Sequence, residues 1–348
     1  MVLLPSILKN ESQRHPLLVL QSSLAQSSLP ILASILAQEP SVKGSTRHNL
    51  LFCLLYQPSS LTQAAASTEV HDWTDRIPGY GQSDYSDELL SIVENALAVP
   101  SQATTVIIDS IDTLLEDRES LSEAYKTLAR VCEAVKKHPD ARLVLHAHAP
   151  SRLLPLITQT GFSSALAHIT VHPPALLTHL AAEFLMPPPP LSPAPKFWGV
   201  FIPVSERVHD TESLVFGPGG EGSGGAGEFV AEVVVREGGA GRKRGVERVL
   251  EGWATALGCP CELMELESIQ PFAKRHTEHI PSAAPDPTQN LPFNLSLTSS
   301  QQESRAQVPL PYAHEGVPIT SNAPGAIFYD PDSADDIDDD DPDEDLDI

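Results

Sequence analysis

Thr104-Thr105-Val106-Ile107-Ile108-Asp109-Ser110 is the stretch on which the fold turns. Apolar at successive positions and ending in an aspartate, it predicts a strand buried on both faces. Such strands belong to parallel sheets covered by helices on each side. Four more runs of the same kind lie at residues 17–20, 50–56, 142–145 and 166–171. Helical periods separate them. Ser86 precedes one whose Leu89, Leu90, Val93, Ala96 and Leu97 share a face, and Pro100 ends it by forcing Val99 out of helical backbone. Ser120 and Glu123 form a capping box before the stripe Leu121, Ala124, Tyr125, Leu128, Cys132 and Val135. The alternation predicts an α/β chain with a mostly parallel sheet flanked by helices.

A strand ending in Asp109 looks like the second motif of nucleotide-hydrolysing sheets, where the aspartate helps to hold magnesium. Its partner is a phosphate-cradling G-x-x-x-x-G-K-[ST] loop after the first strand. The corresponding residues read Gln21-Ser22-Ser23-Leu24-Ala25-Gln26-Ser27-Ser28-Leu29-Pro30, without glycine or lysine. Lys43-Gly44-Ser45-Thr46 has similar letters in the wrong order and precedes a strand. Asp109 is therefore read as a remnant that speaks for fold, capping the turn after its strand beside Asp112. No catalytic residue and no cofactor is expected.

Beyond this region, residues 186–195 hold a tetraproline run that predicts a stiff connector. Residues 197–204 and 229–235 read as two further strands joined by a glycine-rich loop at 217–228, and 245–257 as a final helix with Trp253 on its apolar side. Three regions result. Residues 1–258 form the α/β core, 259–329 an extended segment of low order, and 330–348 a disordered tail. The tail carries twelve acids and no base, half of the chain's net charge of −24.

That acidity argues against a bulk electrostatic nucleic-acid binder. One basic cluster interrupts it: Arg236, Arg242, Lys243, Arg244 and Arg248, interleaved with glycines, a flexible loop suited to phosphate contact. No run approaches the roughly 18 apolar residues of a membrane span, and no secretory leader is read at the start, so a soluble intracellular protein is expected. Gly217-Pro218-Gly219-Gly220-Glu221-Gly222 fits G-x-G-x-x-G but leads into a strand, so it reads as a hairpin loop. Cys259 and Cys261 with His276 and His279 have zinc-ligand chemistry, yet one intervening proline is poor spacing and no metal is assigned. His146 and His148 share a face at a strand end and read as sheet-edge filling.

The C-terminal third carries a resemblance. Pro292-Phe293-Asn294-Leu295-Ser296-Leu297-Thr298, then Gln301, Arg305, Val308, Leu310, Pro311 and Tyr312, is similar to the signature of the Elongator subunit-five family. So are Ile327-Phe328-Tyr329-Asp330-Pro331-Asp332 and the close on Asp341-Pro342-Asp343-Glu344-Asp345-Leu346, with the Val106–Ser110 strand and the missing phosphate loop. The glycine-rich insert and the tetraproline connector depart from it. The resemblance implies a RecA-like fold without nucleotide motifs, and no enzymatic activity of the chain's own. It further implies a heterohexameric ring with Elongator subunits four and six, binding tRNA and docking on the catalytic subcomplex that modifies wobble uridine, in cytoplasm and nucleus. Phe293, Leu295, Leu297, Val308, Leu310 and Tyr312 are then candidate partner-docking residues, and Arg236, Arg242, Lys243 and Arg244 candidate tRNA contacts. Two other readings stay open: a stand-alone nucleotide-binding ATPase, and an acidic adaptor or chaperone supported by the tail.

Overall fold

The computed structural model describes residues 3–10, 15–38, 46–61, 68–76, 86–99, 102–220, 227–238, 245–256, 258–272 and 300. The strands are β1 (Leu17–Ser22), β2 (Thr46–Cys53), β3 (Thr68–Asp72), β4 (Gln102–Ile108), β5 (Arg142–His148), β6 (Leu166–His172), β7 (Glu228–Arg236), β8 (Val246–Ala254) and β9 (Cys259–Cys261). The helices are α1 (Leu4–Lys9), α2 (Leu29–Leu36), α3 (Pro58–Leu61), α4 (Ser86–Leu97), α5 (Ile111–Arg118), α6 (Leu121–Lys136), α7 (Leu154–Ile157), α8 (Pro174–Glu183), α9 (Ala194–Ser205) and α10 (Val208–Phe216).

Among the described residues nine strands join one sheet in the order β3-β2-β4-β5-β1-β6-β7-β8-β9. The first six in that order run parallel, while β7, β8 and β9 add antiparallel. The continuous apolar runs have the predicted cause. Leu17, Val19, Leu50, Phe52, Val106, Ile108, Leu143 and Leu145 pack with α4, α5 and α6 on one face. The residues between them, including Leu18, Leu20, Leu51, Ile107 and Val144, pack with α1, α2 and α3 on the other. A third core joins α8, α9, Val230 and Leu263 over the antiparallel end.

Helix α1 is tied to both halves of this sheet. At its N-terminus the carboxylate of Glu251 on β8 accepts the Leu3 and Leu4 amides, the latter at 2.9 Å. At its C-terminus Arg142 of β5 donates to the Ile7 carbonyl at 2.8 Å. An acid at the start and a base at the end suit the helix dipole. Both are buried, so burial pushes Glu251 up and Arg142 down to about 9.

Two elements differ from the sequence reading. Residues 197–204 lie in helix α9, entered from Pro193 in extended backbone. Phe197, Phe201 and Val204 are its buried face, but Trp198, Val200 and Ile202 also pack against the third core. A helix apolar on most sides hides its 3.6-residue period and imitates a buried strand. Residues 246–254, read as a helix, form β8, paired residue for residue with β7 from Arg236↔Val246 to Glu228↔Ala254. Trp253 is buried as expected, stacked on Phe229 with ring centroids 5.7 Å apart. Gly252 lets β9 close on β8, since a Cβ there would sit 2.8 Å from the Cys261 sulfur. The glycine-rich run at 217–228 follows α10, so it is not a hairpin loop, and its residues 221–226 lie outside the described ones.

Candidate functional site

The C-terminal edge of the parallel strands is where an α/β sheet of this kind holds its ligand. Here β1, β4 and β5 deliver Ser22, Asp109, His146 and His148 to that edge, with Tyr56 from beyond β2. Asp109 caps a neighbouring strand's exit as well as the start of its own turn. Its Oδ1 accepts the Leu54 amide at 2.7 Å, and its Oδ2 accepts those of Leu55 and Tyr56 at 3.1 and 2.8 Å. This also explains why β2 stops at Cys53, not at residue 56. Burial raises the Asp109 pKa, and the amides of Tyr56, Leu54, Leu55 and Ser110 pull against that rise. Ser110 caps α5 separately, its hydroxyl accepting the Thr113 amide at 3.1 Å.

His146 lies on β5, an inner strand between β4 and β1, not on an outer strand of the sheet. Its Nδ1 lies 2.6 Å from the Asp109 carbonyl, which can only accept, so Nδ1 carries the proton. Burial, with help from His148, pushes His146 down to about 4 against that carbonyl bond, and the ring is neutral near pH 7. Nε2 is then an acceptor for the Ser22 hydroxyl at 2.8 Å. Ser22 Oγ in turn accepts the Ser28 amide at 2.8 Å. His148 packs edge-on against His146 with centroids 4.7 Å apart, its Nε2 2.8 Å from the Tyr56 hydroxyl and its amide on Asp112 Oδ2 at 2.7 Å.

The loop after β1 is therefore collapsed where a phosphate loop would open. Ala25, Gln26 and Ser28 are buried within it. Ser22 beside His146 has the spacing of a nucleophile and its base. Both are shut in, at 2% and 0% exposure, and the cavity touching Ser22 holds about 40 Å³, room for water and not for a substrate. Asp109, with three amides on its carboxylate, presents no open face to a cation. Among the described residues no group of three His, Cys, Asp or Glu is arranged to hold a metal ion. Sequence reading missed Ser22, Ser28 and Tyr56. The serines at both ends of a loop lacking glycine were the available signal.

Other expectations fall elsewhere. Arg236 ends β7, and its guanidinium donates to the carbonyls of Thr158, Ser163 and Ser164 at 2.8, 2.6 and 3.2 Å. Lys136 takes the Phe162 carbonyl of the same loop. Arg248 pairs with Glu232 at 3.3 Å and lies over Trp198. Arg242, Lys243 and Arg244, the candidates Phe293, Leu295, Leu297, Val308, Leu310 and Tyr312, His276 and His279, and the acidic tail all lie outside the described residues. Cys259 and Cys261 are free thiols on β9. Among the described residues no helix is long and apolar enough to cross a membrane.

The family model of Elongator subunit Iki1 matches residues 3–187. The chain belongs to the Elongator subunit Iki1 family. That match covers the parallel half, whereas the sequence resemblance was most specific beyond residue 290. Elongator complex protein 5 of Mus musculus is 43% identical over 70 residues, 18% of this chain and 23% of that protein. The Homo sapiens protein of the same name is 42% identical over 77 residues, 20% and 25% respectively. The chain thus spans about a quarter of the length of the curated relatives it matches. Among solved structures, a KaiC-like protein from Pyrococcus horikoshii has a TM-score of 0.41 at 9% identity, covering 71% of this chain and 89% of that one.

Proposed function

We propose that this Iki1-family chain is a non-catalytic structural subunit of the Elongator complex. In this reading it builds a heterohexameric ring with subunits four and six that supports modification of the tRNA wobble uridine U34. The observation that carries it is the closed cradle: Asp109 serves the loop after β2, and Ser22, Ser28 and His146 fill the space a triphosphate needs. A chain with this site works through its surfaces. The basic loop of Arg242, Lys243 and Arg244 then reaches tRNA in the assembled ring, with Arg236 anchoring its base. Phe293, Leu295, Leu297, Val308, Leu310 and Tyr312 dock in extended form on the core or a neighbour. The ring works in cytoplasm and nucleus.

Reconstitution with subunits four and six tests the reading. A ring of defined stoichiometry in size analysis is expected, with no ATP turnover by the isolated chain. Loose mixtures, or turnover abolished by Asp109→Ala, would overturn it. Neutralising Arg242, Lys243 and Arg244 should weaken tRNA binding by the ring and flatten its dependence on salt.

A further inference from the structure

The edge that is closed inward is apolar outward. Leu24 is 74% exposed at the tip of the loop after β1, and Leu55 is 48% exposed in the loop after β2. Both ride on pinned backbone. The Ser23 amide on the Gln26 carbonyl at 2.9 Å closes the first loop, and Asp109 holds the Leu55 amide in the second. Apolar side chains presented this rigidly lose little entropy on docking.

Beside them a cleft of about 520 Å³ opens between α5 and the residues after β5. Tyr56, next to Leu55, is bonded to His148, which forms one wall. Leu115 and Leu121 line the cleft together with Asp112, Glu116, Glu119 and Arg152. Glu116 and Glu119 are exposed and have no ion-pair partner among the described residues. They stand at the C-terminal end of α5, where the helix dipole is itself negative; Arg118 shares that last turn but does not line the cleft. Three carboxylates and a helix C-terminus outweigh the one guanidinium.

We propose that this edge is a docking surface for a protein segment presenting an arginine or lysine beside an apolar side chain. The apolar group packs on Leu24 and Leu55, and the cation enters the cleft among Asp112, Glu116 and Glu119. Charge selects this occupant. A nucleic acid or an anionic membrane is repelled, and a second copy meeting the same face would set like carboxylates against each other. The surface deepens the subunit reading by naming the face that a partner takes.

Two pairs of substitutions test it, Leu24→Ser with Leu55→Ser and Glu116→Lys with Glu119→Lys. All four side chains are exposed, so thermal unfolding should hold steady. In titrations against subunits four and six, each pair should weaken association at least tenfold. In a second arm, a synthetic peptide alternating leucine and arginine should bind the isolated wild-type chain saturably, and the Glu116/Glu119 variant should lose that binding. If wild type assembles and both variants assemble equally well, the surface is wrong while the subunit reading stands. If wild type does not assemble, the subunit reading falls and the peptide decides alone: no saturable binding overturns the surface.

Discussion

The parallel half of the sheet and its antiparallel end are both locked by buried polar groups, but with opposite chemistry. In the parallel half the lock is neutral donors around one carboxylate: Asp109 takes three amides, and an uncharged His146 bridges the Asp109 carbonyl to Ser22. At the antiparallel end the lock sets one carboxylate between an imidazole and a guanidinium. Glu232 of β7 lies 3.0 Å from His172 of β6 and 3.3 Å from Arg248 of β8, tying three strands. Burial pushes Glu232 up, yet its hydrogen bond to His172 and the Arg248 guanidinium outweigh that and hold it below the usual carboxylate range. A lock of amides cannot rearrange without leaving buried N–H groups unpaired, whereas an ion network at a half-exposed arginine can fall back on water.

Removing each carboxylate breaks this comparison most sharply. Asp109→Ala orphans the amides of Leu54, Leu55 and Tyr56 and should cost about 3–5 kcal/mol, comparable to stripping a buried pair. Glu232→Ala should cost less, about 1–3 kcal/mol, because Arg248 is 35% exposed and solvates itself. Urea unfolding of both variants orders them. Equal losses would mean that the two locks are alike.

Acid sharpens the same contrast at the next level. His146 is held down to about 4, below its ordinary 6.5, so the unfolded chain binds the proton first. Stability is therefore complete above about pH 6.5 and is lost as pH falls from there toward 4, by up to about 3 kcal/mol. His146→Gln should make that slope shallower in denaturant midpoints measured from pH 7 to 4.5, while His168, also pushed by burial down to about 4, keeps the remainder. A slope unchanged by the substitution would place the acid sensitivity elsewhere.

The two halves also differed in how far the sequence could be read. Leu17 to Leu20 and Val106 to Ile108 are apolar on both faces because cores lie on both sides, and such short runs, set between helical periods, are too brief for a helix. Residues 246–254 offer no such pattern. Glu247, Val249, Glu251 and Trp253 share one face and Val246, Arg248, Leu250 and Gly252 the other, so polar and apolar groups mix on both. The reason lies far away in the chain: Glu251 faces inward to cap α1, and Gly252 makes room for Cys261. Contacts of that range leave no local signature. The same holds at the edge of the sheet, where Asp109 was legible as a strand-ending aspartate but its true partners, the amides after β2, sit over fifty residues upstream.

Arg236 gives the smallest expected effect and the finest distinction. As a member of a basic cluster it reads as a phosphate contact, but its three donor nitrogens point back at carbonyls of residues 158–164. Charged donors on carbonyls are worth about 1.5–3 kcal/mol each in favourable buried cases, but this side chain is only part-buried. Arg236→Ala should therefore cost about 1–2 kcal/mol overall. Its effect should concentrate in hydrogen exchange of residues 158–164, since that loop hangs on Arg236 and on Lys136. Affinity of the assembled ring for tRNA should stay within twofold of wild type, with its salt dependence intact, while neutralising Arg242, Lys243 and Arg244 changes both. A tRNA loss for Arg236→Ala with no change in exchange of the loop would show that the side chain leaves its carbonyls for phosphate, and that the antiparallel end is built as a binding arm and not as a lock.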